Sequence, residues 1–195
     1  MRLGVPKEKN NNETRVSVVP MSIPKLAKLG FDIVIEKGAG EKSGYLDSEY
    51  EEKGGKISDL NGVMKSDLVV SIDVPDFSTM KKGQMLACMS DPFRHINQTK
   101  KIIDSGITLL SLEVIPRRLS KGQSMDVNSS QDNLSGYRAA LIGSQRITKM
   151  VPMMMTSAGT VKPAKFVIQG AAVAGLQAIA TVSYTHLTLP TICSV

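Results

Sequence analysis

Ser22-Ile23-Pro24-Lys25-Leu26-Ala27-Lys28-Leu29-Gly30-Phe31-Asp32-Ile33-Val34-Ile35-Glu36 passes from a helix pattern to a strand pattern across a single glycine. Ser22 is placed to cap the helix, Pro24 suits its first turn, Leu26 and Leu29 share a face, and Gly30 ends it. Phe31–Glu36 is then a β-branched run of the kind a buried strand needs. Upstream, Arg2–Val5 reads as a strand too, so the chain opens strand, loop, helix, strand. Further strands are expected at Leu68–Val74, Met85–Met89, Thr108–Leu112 and Phe166–Gln169, with helix-like stretches between them. That alternation predicts an α/β protein with a parallel sheet. A long helix-compatible stretch from Met125 to about Met150 is suited to joining two lobes.

Composition narrows the function classes. The 195 residues carry 42% hydrophobic and 22% charged residues, a globular balance with room for one domain and the start of another. No window reaches the roughly 18 consecutive apolar residues of a membrane span, and Met1-Arg2-Leu3-Gly4-Val5-Pro6 lacks a signal-peptide core. Cys88 and Cys193 are too few and too scattered for a disulfide framework or a zinc site, which fits a reducing compartment. The net charge of +6 is spread among acids and not clustered with aromatics, which argues against nucleic acid as a partner.

Three segments carry chemistry. Val167-Ile168-Gln169-Gly170-Ala171-Ala172-Val173-Ala174-Gly175-Leu176 is a G-x-A-x-x-G turn opening a helix. In a dinucleotide fold the backbone amides of such a turn face a pyrophosphate. Ala172 stands where the pattern has its middle glycine, and a tight strand-to-helix packing turn is the competing explanation. Pro116–Asp126 is a polar loop that leads into Ser129-Ser130-Gln131-Asp132. An arginine, an amide and a carboxylate gathered in one loop can hydrogen-bond a carboxamide and a ribose, and an ordinary solvated loop is the alternative. Met153-Met154-Met155 points in several directions at once, which predicts flexible packing at a lobe junction and not a metal-binding box.

Several blocks carry a resemblance. Arg2-Leu3-Gly4-Val5-Pro6-Lys7-Glu8 with Asn12-Glu13-Thr14-Arg15-Val16, Gln123-Ser124-Met125-Asp126, Gly136-Tyr137-Arg138-Ala139, Pro152–Thr156, Ala158-Gly159-Thr160-Val161 and Val173–Thr181 are together specific. From Arg2 to Thr181 the chain resembles the alpha subunit of the bacterial proton-translocating NAD(P) transhydrogenases, in a superfamily with alanine dehydrogenase. The resemblance implies a Rossmann-like, parallel-sheet N-terminal lobe over 1–140. Residues 141–181 would be a linker and the first βα unit of a second, truncated Rossmann NAD-binding lobe. It further implies NAD(H) as cofactor, hydride exchange with NADP(H) held on a partner domain, and coupling to proton movement. Its partners would be the NADP-binding and membrane domains of the complex and a second copy in a homodimer. Its place would be cytoplasmic, on the face of the bacterial inner membrane.

The same resemblance assigns residues. Arg118, Gln123 and Asp126 correspond to the family's catalytic loop, with Ser129 beside it. One extra residue between Pro116 and Gln123 leaves Arg117 as the other candidate for the arginine. Gly170, Ala172, Val173, Ala174 and Gly175 would bind the cofactor, and no metal is implied. Their role would be to align two rings, because the nicotinamide carries the hydride itself. An amino-acid oxidoreductase akin to alanine dehydrogenase is the alternative, since Arg15 matches an arginine that holds a substrate carboxylate there. That enzyme also needs a lysine and a histidine. Here Ile72-Asp73-Val74-Pro75 and Met89-Ser90-Asp91-Pro92 stand in their places, and His95 reads as an ordinary helix-start or surface histidine.

The C-terminal stretch departs from this pattern. No Asp or Glu follows Asp132, whereas a dinucleotide fold expects an acid for the adenosine ribose about 20 residues beyond the glycine turn. Val182-Ser183-Tyr184-Thr185-His186-Leu187-Thr188-Leu189-Pro190-Thr191 resembles the translation of a transposase sequencing adapter, so residues 182–195 are expected not to be native and His186 and Cys193 to carry no function. A non-catalytic fragment, with a complete first lobe and a stub of the second, is a further reading of the chain as it stands.

Overall fold

The computed structural model describes residues 1–183. The expectations for His186, for Cys193 and for nearly all of 182–195 lie outside them. The chain forms two compact units, the first running from Met1 to Met125 and the second beginning at Asp126.

The first unit is a six-stranded, all-parallel sheet. Its strands are β1 (Arg2–Val5), β2 (Asp32–Glu36), β3 (Lys56–Ser58), β4 (Leu68–Val70), β5 (Met85–Cys88) and β6 (Thr108–Ser111), in the order β3-β2-β1-β4-β5-β6. Helices α1 (Ile23–Lys28), α2 (Asp47–Glu52), α3 (Leu60–Met64) and α4 (Ile96–Asp104) make the crossovers, and the short α5 (Ser120–Gln123) follows β6. A parallel sheet buries both faces, which is why Ile33, Val34 and Ile35 are all buried in succession. One core gathers Leu3, Val5, Ile23, Ile35 and Tyr50; the other gathers Met64, Val69, Leu86, Cys88 and Ile102. The strand order reverses direction at the β1–β4 pair, so the crevice beyond the carboxyl ends of those strands is the topological switch point.

Local chemistry differs from expectation at several points. Ser22 makes no side-chain cap, because it closes a 3-10 turn (Pro20–Ser22) in helical dihedrals where a capping residue must be extended. Leu26 packs on the core, but Leu29 lies past the last turn and is 74% exposed, so the two do not share a buried face. Gly30 does end α1, at φ +89°. The strand expected over Leu68–Val74 is regular only to Val70. Its pairing continues irregularly through Ser71 N–H to the Ala87 carbonyl (3.0 Å) and Met89 N–H to the Ile72 carbonyl (2.9 Å). β3 has no counterpart among the expected strands.

The second unit holds α6 (Val127–Arg146), a hairpin of β7 (Met154–Thr156) and β8 (Gly159–Val161), and α7 (Val173–Val182). α6 and α7 pack closely at Gly136, where a Cβ would stand 2.1 Å from the Ala174 carbonyl oxygen. The strand expected at Phe166–Gln169 does not form. Among the described residues no strand pairs with it, and an extended segment without a ladder partner is not a strand. The packing expected of Met153–Met155 is corrected too: all three are exposed, Met154 and Met155 in β7, because the Thr156–Gly159 turn folds the segment back into a hairpin. No helix among the described residues is long and apolar enough to cross a membrane.

Candidate functional site

The glycine turn is built as an open helix start. Gly170 has φ +107°, a conformation side chains avoid, and Ala172 is the extended N-cap of α7. The first intrahelical bond runs from Leu176 N–H to the Ala172 carbonyl (2.9 Å), so the amides of Val173, Ala174 and Gly175 lie ahead of it. No side chain caps them. At Gly175 a Cβ would stand 1.9 Å from the Gly170 carbonyl oxygen, so only glycine lets the turn close on the helix. Ala172 itself is exposed. Uncapped amides with a turn closed over them are the donor set an anionic phosphate uses.

The arginine-glutamine-aspartate loop divides between the two units. Arg117, Arg118 and Gln123 belong to the first, Asp126 and Ser129 to the second. Both arginines are exposed in the turn before α5, and Gln123 is the exposed last residue of that helix. The turn is tight: Leu119 N–H donates to the Pro116 carbonyl (3.3 Å), and the Leu119 carbonyl accepts from Gly122 (2.8 Å) and Gln123 (3.1 Å). It closes only because residue 122 is glycine, whose Cβ would lie 2.2 Å from the Pro116 carbonyl oxygen. Gly122, absent from the candidate residues, shapes this loop; a glycine beside a functional glutamine was the available signal. Asp126 is the N-cap of α6, where its carboxylate accepts from Ser129 N–H (3.0 Å) and Ser129 Oγ–H (2.5 Å). Asp126 and Ser129 are thus brought together as a preorganised pair.

A third constellation occupies the switch point of the sheet. A cavity of about 220 Å³ there is bordered by Lys7, Glu8, Ser71, Asp73 and Asp76. Glu8 is buried, and its carboxylate accepts from Ile72 N–H (2.6 Å) and Asp73 N–H (3.2 Å), bolting the end of β1 to the end of β4. Burial pushes its carboxyl above the ordinary 4.5, against the pull of those two amides. Arg15 is held by Glu13 through Nε to Oε1 (2.8 Å) and Nη2 to Oε2 (2.5 Å). Its guanidinium pushes the Glu13 carboxyl below 4.5. Sequence reasoning singled out Arg15 but missed both carboxylates.

These shifts have opposite consequences for stability. Glu13, depressed when folded, contributes stability that is present above pH 4.5 and is lost as pH falls through its folded value. Glu8, raised when folded, favours the fold below 4.5 and loses that contribution as pH rises through its folded value. Thermal melts from pH 3 to 7 should therefore fall less steeply on acidification in Glu13→Gln than in the parent, and rise less on acidification in Glu8→Gln. Parallel curves for all three proteins would refute the assignment.

Other candidates are structural. His95 is exposed at the start of α4, as expected of a helix-start histidine. Cys88 is fully buried in β5 and its thiol is pushed up to about 12 by burial, which removes it as a nucleophile. Among the described residues no cluster of His, Cys, Asp and Glu could hold a metal ion.

This arrangement has counterparts among known proteins. Relatives include an NAD(P) transhydrogenase subunit alpha chain of Rhodospirillum rubrum, 36% identical over 93% of this chain and 50% of its own length. NAD(P) transhydrogenase subunit alpha of Haemophilus influenzae is 35% identical over 92% of this chain and 35% of its own length. The crystal structure of transhydrogenase from Sinorhizobium meliloti matches at TM-score 0.89 and 38% identity, over 93% of this chain and 55% of that one. An L-alanine dehydrogenase structure matches at TM-score 0.79 and 25% identity, over 93% of this chain and 52% of that one. The chain thus spans half or less of the length of these curated relatives. Family models for the alanine dehydrogenase/PNT N-terminal domain (residues 4–135) and C-terminal domain (residues 139–186) match in succession, and the chain belongs to the alanine dehydrogenase/PNT family.

Proposed function

We propose that this chain is part of the NAD(H)-binding component of a proton-translocating NAD(P) transhydrogenase. The observation that carries the reading is the uncapped start of α7, where a glycine-closed turn leaves the amides of Val173, Ala174 and Gly175 without an intrahelical or side-chain partner. Those amides, with Gly170 and Ala172 shaping the approach, fit a pyrophosphate and would hold NAD(H) there. When bound, the nicotinamide supplies the hydride. The protein's task is alignment: Arg118 or Arg117 and Gln123 present donors, while Asp126, already fixed by Ser129, presents an oriented carboxylate. The acceptor NADP(H) would sit on a partner domain. A homodimer, attached through the NADP-binding and membrane domains to the cytoplasmic face of the bacterial inner membrane, is the assembly this reading implies.

The test is hydride exchange between NADH and an NADP analogue, using a version extended to the length of its relatives together with the NADP-binding partner domain. Gln123→Ala and Asp126→Asn should each slow transfer by about tenfold or more while weakening NADH binding far less, as expected of groups that orient and do not anchor. Unchanged rates in both variants would remove the loop from the mechanism.

The chain in hand should bind NADH weakly or not at all. No acid follows Asp132 to hold the adenosine ribose, so half of the expected recognition is missing. NADH fluorescence and thermal shift check this; micromolar affinity would overturn it.

Amino-acid oxidation is the second reading, prompted by similarity to alanine dehydrogenase of Bacillus subtilis, 29% identical over 76% of this chain. The switch-point crevice weighs against it. Arg15 is engaged with Glu13, and Glu8, Asp73 and Asp76 around the cavity would repel a substrate carboxylate. Alanine-dependent reduction of NAD would reverse this ranking.

A further inference from the structure

At the amino ends of β4 and β5, at the other end of the sheet from the switch point, a cavity of about 590 Å³ is bordered by Lys65, Lys81 and Lys82 with Thr79. The lysines come from two separate turns, one after α3 and one before β5. Gln84 locks those turns together: its side-chain amide donates to the carbonyls of Met64 (2.9 Å) and Ser66 (2.5 Å), and its oxygen accepts from Lys81 N–H. Gly83, at φ +90°, donates its N–H to the Gly106 carbonyl (2.9 Å), and the stem of Lys82 lies over Gly106. The turns are therefore held in place before any ligand arrives.

The charge is one-sided. None of the three lysines forms an ion pair among the described residues. The one acid on the rim, Asp67, has an oxygen committed to Arg2 N–H (2.7 Å). Three ammonium groups from fixed turns, with a threonine hydroxyl on the same rim, concentrate positive potential in a concave site. Lysine recognises phosphate as a point charge and needs no planar fork, and the volume exceeds that of a lone inorganic ion.

We propose that this cavity binds a phosphate-bearing anion, either a free phosphorylated compound or the phosphate of a lipid headgroup. The site is independent of the glycine turn and of the transhydrogenase reading.

The experiment uses the full 195-residue chain labelled with 15N. Inorganic pyrophosphate is titrated in at low ionic strength, and vesicles of phosphatidylcholine with phosphatidylglycerol are tested by co-sedimentation. Pyrophosphate should shift the amides of Lys65 and of Lys81–Gln84. K81Q/K82Q should weaken binding by about tenfold or more, whereas K37Q/K53Q, which removes the same charge from exposed positions away from the cavity, should change it less than about twofold. Both pairs are exposed, so folding should survive, and unchanged melting temperatures verify it. Vesicle binding lost in K81Q/K82Q and kept in K37Q/K53Q assigns the lipid source; localised pyrophosphate shifts without vesicle binding assign the free one. Binding of neither probe, or equal weakening by the two double variants, overturns the site.

Discussion

Gly175→Val should detach α7 from the turn that precedes it. The new Cβ would stand 1.9 Å from the Gly170 carbonyl oxygen, a backbone atom that cannot swing aside as a side-chain end can. Either the turn opens or the helix start unwinds, at a cost of about 3 kcal/mol. Both outcomes scatter the amides of Val173 and Ala174, so a version of relative length should lose NADH affinity by roughly a hundredfold, about 2.7 kcal/mol. Hydrogen exchange of the amides from Leu176 to Thr181 reads the structural part directly: protection should collapse in the variant. Gly143→Ala is the matched control, because its Cβ meets only the Phe166 ring at 3.6 Å and should leave protection intact. Undiminished protection in Gly175→Val would contradict the close approach.

Tyr50→Ala should be the most damaging change in the first unit. The ring is fully buried beneath the β1–β2 half of the sheet, edge-on to Tyr45 with centroids 6.5 Å apart, and its hydroxyl donates to the Val18 carbonyl (3.1 Å). Gly40 exists to admit it, since a Cβ there would stand 2.7 Å from the ring. Truncation empties that volume and orphans the carbonyl, costing about 3–5 kcal/mol. Tyr50→Phe removes only the hydrogen bond and should cost about 1 kcal/mol. Urea unfolding followed by circular dichroism separates the two; near-equal midpoints would show that the cavity closes by relaxation.

The legible parts of the fold were those written in side-chain pattern. Ile33-Val34-Ile35 and Met85–Cys88 announce buried strands because a parallel sheet tolerates no polar alternation, and the long helix after Asp126 carries its own cap. Lys56–Ser58 was invisible because an edge strand three residues long needs little hydrophobicity. The β7–β8 hairpin was hidden in a run of methionines, serine and threonine whose pairing depends on the turn and not on burial. Phe166–Gln169 failed the other way: its composition suits a strand, but a strand is a property of two segments. In the candidate site, the glycine turn was readable because close approach demands glycine itself. The Glu8 bolt and the Glu13–Arg15 pair were not, since they depend on how the chain is folded around them, Glu8 reaching Ile72 across 64 positions.

The unpaired Phe166–Gln169 segment also governs how the protein behaves in a tube. Val167 is 95% exposed, and the main-chain donors and acceptors around it lack a ladder. Such a bare edge is a template on which another molecule can add its own strand. Purified material should therefore self-associate as it is concentrated, and Val167→Pro or Val167→Lys should keep it monodisperse.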